Sequence, residues 1–389
     1  MSVTAPQGFV ASGVACGIKA SGAPDLALVA TTKGAVPAAG VFTANLAAAA
    51  PVQVSRAHLA VSGGRAAAVV LSSGNANAAT GAPGVAGAER MCALVGEGLG
   101  VAGAEVLVCQ TGLIGIPLPM APLESGIPVL VEARLAGADA ARRAAAAIMT
   151  TDTVCKEVTV EAAGFTVGAM AKGAAMLAPN MATMLAVLTT DARCDPPTLR
   201  GALRRAVEGS FNRMTVDGCT STNDTVLVLA SGERATSVSA SALADALEQA
   251  CAQLAAMMAA DAEGASKVVH VVVRGALSDD EAHRAARRVA ESALVKCSLN
   301  GEDPYWGRVV SELGSAGVAF DIDRVAVAYG GVEVCRAGMA ADHDDKAVRD
   351  HMTNGAIEIS CDLGMGPGAG AVLSTDLGHG YIDENRTTS

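Results

Sequence analysis

Apolar positions along the 389-residue chain come in short runs broken by glycines and polar turns, with no internal repeat. The runs "LALVA" (26–30) and "AAAVVLSSGNANAATG" (66–81) read as strands ending in loops. Residues 87–99 have helical spacing, "EVLVCQTGLIG" (105–115) is a buried strand running into a Thr-Gly turn, and "DAARRAAAAIM" (139–149) is a helix. "KEVTVEAAGFTVGAMAKG" (156–173) alternates and turns at Ala163-Gly164, which predicts a hairpin. Beyond residue 192, Leu243, Leu247, Cys251, Leu254 and Met258 mark one long amphipathic helix over 241–262. "KVVHVVVRG" (267–275) is a strand, and Ser278 with Glu281 makes a capping box for a helix to about Cys297. A hairpin about Gly330-Gly331 follows, and "AIEISCDLG" and "AVLSTDL" are two further strands flanking "MGPGAG". Strands arrive as hairpins and adjacent runs with helices grouped between them. The pattern is α+β, layered helix and sheet rather than strict βαβ alternation.

One stretch resists the pattern. "AMAKGAAMLAPNMATMLAVLTTDA" (169–192) is almost wholly small or apolar, yet holds Lys172, Pro179-Asn180 and Thr183. Pro179 would break a helix, and the stretch lacks strand alternation. It divides into a hairpin strand ending near Gly173, an irregular segment, and a buried apolar element. On the residues alone Thr183 reads as a core threonine bonded to a nearby carbonyl.

Composition removes several function classes. A formal charge of −11 leaves no basic excess for nucleic acid and disfavours anionic membrane surfaces. No apolar run reaches the roughly 18 residues a membrane span requires, and the N-terminus has no secretory-signal pattern. The 10 cysteines are scattered with no CxxC pair, which points to a reducing compartment, the cytoplasm. The histidines do not cluster, so no metal site is expected. "ADHDDKAVRD" (341–350) reads as a solvated acidic loop. The glycines of "GMGPGAG" (364–370) read as a loop needing positive φ rather than a phosphate cradle.

The stretch "KGAAMLAPNMATMLAVLTTDA" resembles the self-cleavage segment of the ArgJ family, the glutamate/ornithine N-acetyltransferases of arginine biosynthesis. Similar motifs recur in order: "GVFTANLAAAAPV" (40–52), "SSGNANAATG" (72–81), "QTGLIG" (110–115), "AIMTTDTVCKEV" (147–158), "DGCTSTNDT" (217–225), "DAEGASK" (261–267), "EDPYWGRV" (302–309) and the tail "YIDENRTTS". The resemblance spans essentially the whole chain. It implies an αββα sandwich of the N-terminal-nucleophile-like kind, self-cleaved at Ala182–Thr183. An α chain of residues 1–182 and a β chain of 183–389 would then assemble as α2β2. Tyr305 stands where the family usually has Asn, Ala79 replaces a frequent Cys, "NLAAAAPV" lacks a common basic residue, and the tail is short. None of these is a proposed catalytic position.

The implied chemistry accounts for the odd stretch. A threonine hydroxyl needs a base beside it. The α-amine freed at Thr183 by cleavage, with an ordinary pKa of about 7.7–8.0, can take and return a proton near neutrality without a histidine. By the resemblance, Thr111 (side chain) and Gly112 (backbone N–H) stabilise the oxyanion, and Lys172 binds the substrate carboxylate. Glu263 binds its amine, and Asn385, Thr150 or its neighbour Thr151, and Ser389 or its neighbour Thr388 contact the substrate. The expected reaction moves the acetyl group of N2-acetylornithine to glutamate through an acyl-threonine, with no cofactor. Alternatives are acetyl-CoA as the acetyl donor, an amidohydrolase on the same nucleophile, and a non-enzymatic small-molecule binder with Thr183 in the core.

Overall fold

The computed structural model describes residues 2–176, 184–234 and 238–386. They fall into two compact units, residues 2–212 with 220–258, and residues 213–219 with 259–386.

The first unit contains β1 (Phe9–Val14), β2 (Leu26–Thr31), β3 (Val36–Phe42), α1 (Ala50–Val61), β4 (Arg65–Ala66), β5 (Ala68–Asn75), α2 (Gly81–Leu99) and β6 (Val106–Leu113). It continues through α3 (Met120–Glu132), α4 (Ala138–Ile148), β7 (Lys156–Ala162), β8 (Phe165–Lys172), β9 (Leu185–Thr190), α5 (Pro196–Gly209), β10 (Thr225–Ala230) and α6 (Ala240–Ala260). These strands build a four-stranded sheet, β1-β2-β5-β6, and a six-stranded sheet, β4-β3-β10-β9-β8-β7.

The two sheets face each other across a core of small and branched residues. Ala27, Val29, Val69 and Leu107 of the first sheet share it with Met170, Leu185, Val187 and Leu227 of the second, and the alanine face of α4 (Ala141, Ala144, Ala145) enters it. With rings scarce, such close-packed Ala and Val surfaces hold the sheets together through many small contacts. On its other face the first sheet meets α2 and α3 through Leu28, Val70, Met91, Val95 and Ile127. On the second sheet, α5 packs over β3 and β10, and Arg205 of α5 pairs with Asp245 and Glu248 of α6. The layers are therefore helix, sheet, sheet, helix, as the resemblance implied.

The order of the second sheet matters for the odd stretch. Its strands β4, β3, β8 and β7 precede residue 182, and β10 and β9 follow it. They interleave: β10 lies antiparallel to β3 and parallel to β9, which in turn lies antiparallel to β8. The buried apolar element expected after Thr183 is β9.

The second unit contains β11 (Val268–Ala276), α7 (Asp279–Glu291), α8 (Ala293–Asn300), α9 (Trp306–Gly314), β12 (Ala326–Tyr329), β13 (Val332–Arg336) and β14 (Met339–Ala340). It ends with α10 (Asp345–Met352), β15 (Ala356–Asp362), β16 (Gly368–Thr375) and α11 (His379–Asn385). Its sheet runs β14-β13-β12-β15-β11-β16. Val271, Val273, Ile357, Ile359 and Tyr329 fill one core with Ala282, Ala286 and Val289 of α7.

Four expectations need correction. The helix after "SSGNANAATG" begins at Gly81, not 87. The helix from Ser278 stops at Glu291 and restarts at Ala293, because the Ser292 side chain caps a new helix by accepting from the Val295 N–H. The acidic run is not a loop throughout: Asp344 caps α10, accepting from the Lys346 and Ala347 N–H groups. Of the glycines in "GMGPGAG", only Gly364 has positive φ (+62°). Gly368 and Gly370 instead let β16 approach α7, where an added Cβ would lie 2.3 Å from Ser278 C and 2.6 Å from the His283 N. Among the described residues no helix is long and apolar enough to cross a membrane.

Candidate active site

The site grows from the ends of β5 and β6. The parallel β5–β6 ladder is regular up to Gly74–Gly112 and slips at Asn75. Gly112 sits there with φ +131°, and an added Cβ would lie 2.3 Å from the Gly74 C and 2.5 Å from the Asn75 N. Only glycine fits so near another backbone. Below the slip, buried amides replace apolar packing. Asn77 donates to Gln110 Oε1 at 2.7 Å, and Gln110 Nε2 donates to Ser72 Oγ at 3.1 Å. Asn223, just before β10, donates to the Ala76 and Gln110 carbonyls at 2.6 and 2.9 Å. It thereby ties the second sheet to the first at the level of Thr111. Buried donors must be paired or they cost free energy, so this network holds a single geometry.

Lys172 is the last residue of β8, and only 3% of its surface is exposed. Its Nζ lies 3.5 Å from Thr111 Oγ1 and 4.0 Å from Asp152 Oδ2. Asp152 lies between α4 and β7. Its Oδ1 accepts from Lys156 Nζ at 2.7 Å and from the Gly173 N–H at 2.7 Å, and its Oδ2 accepts from the Thr150 N–H at 3.1 Å. Burial opposes ionisation of this carboxyl, but Lys172, Lys156 and the hydrogen bonds outweigh it and hold the pKa down at about 2. Lys19 closes the neighbourhood, donating to the Pro24 and Met149 carbonyls at 2.8 and 2.7 Å.

A second buried carboxyl behaves in the opposite way. Asp224 precedes β10, and its Oδ1 accepts from the Met184 N–H at 3.0 Å; the Thr225 N–H donates to the Met184 carbonyl at 3.1 Å. Its Oδ2 meets no hydrogen-bond partner among the described residues. Burial pushes this carboxyl well above the usual range, and the Met184 N–H, the Ser221 and Thr43 hydroxyls and the Lys172 charge offset it only in part.

Of the residues singled out in the sequence, Thr111, Gly112, Lys172 and Thr150 come together in the first unit, with Asp152 joining Thr150 to Lys172. In the second unit Glu263 and Asn385 meet: Asn385 Nδ2 donates to Glu263 Oε2 at 2.8 Å and to the Tyr381 carbonyl at 2.9 Å. Glu263 is 8% exposed and lies beyond the end of α6 rather than on it. Ala182, Thr183 and Ser389 lie outside the described residues. Sequence reasoning passed over Asp152, Lys156, Asn223 and Asp224. The signal for them was present, because "TTDTVCK" and "STND" place carboxylates and amides directly before the runs that form β7 and β10.

The sandwich of two sheets between helix layers, with a buried ion cluster at the strand ends, defines a layered α+β enzyme. A family model described as the ArgJ family matches residues 10–387. An arginine biosynthesis bifunctional protein ArgJ from Mycolicibacterium paratuberculosis is 47% identical over 100% of this chain and 96% of its own length. One from Streptomyces avermitilis is 46% identical over 100% of both. A solved chain of the bifunctional ArgJ protein from Bacillus halodurans is 33% identical, with a TM-score of 0.49, covering 51% of this chain and 96% of that one. The chain belongs to the ArgJ family. It is an enzyme of the kind its relatives are named for, the bifunctional proteins of arginine biosynthesis.

Proposed function

We propose that this protein is a glutamate N-acetyltransferase that takes its acetyl group from N2-acetylornithine by a ping-pong mechanism, after cutting itself between Ala182 and Thr183. Thr183 Oγ attacks the acetyl carbonyl while its own α-amine takes the hydroxyl proton. The oxyanion is held by the Thr111 hydroxyl and the Gly112 N–H. The amine returns the proton to the departing ornithine nitrogen, and glutamate then attacks the acyl-threonine by the reverse steps. Lys172 receives the substrate carboxylate and Glu263 the amine, and Thr150, Asn385 and Ser389 are further substrate contacts.

The observation that carries this reading is the Lys172 ammonium 3.5 Å from the Thr111 hydroxyl, in a chain of this family. A cation this near a hydroxyl supports reading the two as carboxylate anchor and oxyanion donor for one small molecule. Two further features support it. Met184, the residue after Thr183, is anchored through both its N–H and its carbonyl. The strands on either side of residue 182 interleave in one sheet, so the pieces of a cut chain remain joined by their ladder. An α chain of residues 1–182 and a β chain of 183–389, assembled as α2β2 in the cytoplasm and needing no cofactor, complete the proposal.

Thr183→Ala tests it most directly. The variant is expected to run as one uncut polypeptide and to transfer no acetyl group; normal turnover would refute the mechanism. Thr111→Ala is expected to lower kcat by about 100- to 1,000-fold with a smaller effect on KM, and unchanged kcat would remove Thr111 from the oxyanion role. Offering acetyl-CoA in place of N2-acetylornithine separates the two acetyl donors.

A further inference from the structure

The ion cluster beneath Thr111 contains a residue that the proposed chemistry does not use. Asp152 has no accessible side-chain surface, and neither does Lys156. Its two oxygens serve four groups: Lys156 Nζ, the Gly173 N–H, the Thr150 N–H and, at 4.0 Å, Lys172 Nζ. These belong to three chain segments, the loop after α4, the start of β7 and the end of β8. We propose that Asp152 is the positioning residue of the amino-acid subsite, fixing the Lys172 ammonium beside Thr111 and setting the Thr150 backbone in register with it. This rests on the acetyltransferase reading of the same site and extends it to how the subsite is held.

The physical case rests on geometry. A lysine side chain samples many rotamers unless something selects one, and a buried cation needs a counter-charge. Asp152 supplies both. It is itself clamped by two backbone N–H groups, so its direction is set by the fold rather than by the lysine. Lys156 engages Oδ1 directly at 2.7 Å, whereas Lys172 stands farther off, with Thr111 Oγ1 at 3.5 Å the nearer contact. The Lys172 ammonium is thus oriented by the carboxylate while still facing the oxyanion donor. Other titratable groups that feel the cluster are Lys19, which senses both Lys172 and Asp152, Cys155, which senses Asp152 and Lys156, and Asp224, which senses Lys172.

Asp152→Asn tests the assignment, because the amide keeps the size and an acceptor oxygen but removes the charge. The expected result is a rise of about tenfold or more in KM for N2-acetylornithine and for glutamate, with kcat changing much less. KM should also climb more steeply with pH than in the wild type, since a buried ammonium without its carboxylate gives up its proton more readily. KM and its pH profile both at wild-type values, with only the melting temperature lowered, would overturn the assignment. Should Asp152→Asn fail to fold, Lys156→Met replaces it. Freed of Lys156, the carboxylate draws Lys172 away from Thr111, so KM is again expected to rise, and an unchanged KM overturns the assignment. Wild-type enzyme that transfers no acetyl group overturns the acetyltransferase reading and this assignment together. Active wild type with both variants at wild-type KM overturns the assignment alone.

Discussion

Asp152 and Asp224 are both buried carboxyls, both feel the charge of Lys172, and both lie in the segment leading into a strand of the same sheet. Their acidities move in opposite directions, down to about 2 for Asp152 and well above the ordinary range for Asp224. Burial opposes ionisation at both, so burial does not separate them. What differs is the company. Asp152 accepts from two backbone N–H groups and directly from the Lys156 ammonium, whereas Asp224 has one backbone N–H and the neutral Ser221 and Thr43 hydroxyls, with no cation in direct contact among the described residues. A carboxylate can stay charged in a core when cations and amides surround it, and it keeps its proton when they do not. The first region is a fixed charge that can orient a second one. The second is a carboxyl whose acidity burial weakens, holding the backbone of Met184.

The contrast can be broken in three ways. The largest effect is expected from Asp152→Ala, which removes a buried carboxylate from beside Lys156 and Lys172. Removing one partner of a buried ion pair costs about 3–5 kcal/mol, to be read from urea unfolding. A loss below about 1 kcal/mol would show that the lysines do not depend on it.

Next is the acid limb of stability. The Asp152 pKa is lower in the folded chain than the ordinary 3.8, so its contribution is present above that value and is lost as pH falls from 3.8 towards about 2. Wild type is expected to lose about 2 kcal/mol from this group over that range. Asp152→Asn should lack that part of the slope, and identical acid limbs would contradict the assignment. For Asp224 the sign reverses. A raised folded pKa means that its contribution is greatest below 3.8 and declines as pH rises.

The smallest effect is therefore expected from Asp224→Asn. An amide in place of a neutral carboxyl should change stability at neutral pH by about 1 kcal/mol or less. A loss as large as that of Asp152→Ala would show that Asp224 is ionised and paired in the native state.

Much of the scaffold was legible because its signals are local. The alternation and the Ala163-Gly164 turn gave the β7–β8 hairpin, and the spacing from Leu243 to Met258 gave α6. The capping box gave the start of α7. The helix break at Ser292 was missed, because a serine inside an apolar periodic pattern becomes a cap only when the chain bends there. Gly368 and Gly370 were misread for a related reason: what requires glycine is the backbone of α7, far away in sequence. Lys172 stood out as a cation in an apolar stretch, but its partner Asp152 lies 20 positions earlier, and nothing local couples the two.

By itself, then, the sequence determined the layered α+β class, the hairpins and the long helix, and through its ordered motifs the family and the residues to suspect. These follow from periodicity and from residue types at fixed spacing, which neighbours along the chain already express. The tertiary structure decided which of those residues lie together and in which direction the acidity of each buried carboxyl shifts. It also decided that strands from both sides of Ala182 interleave in one sheet. Those properties depend on the groups that surround an atom in space, and hydrogen bonds between segments far apart in the chain set them.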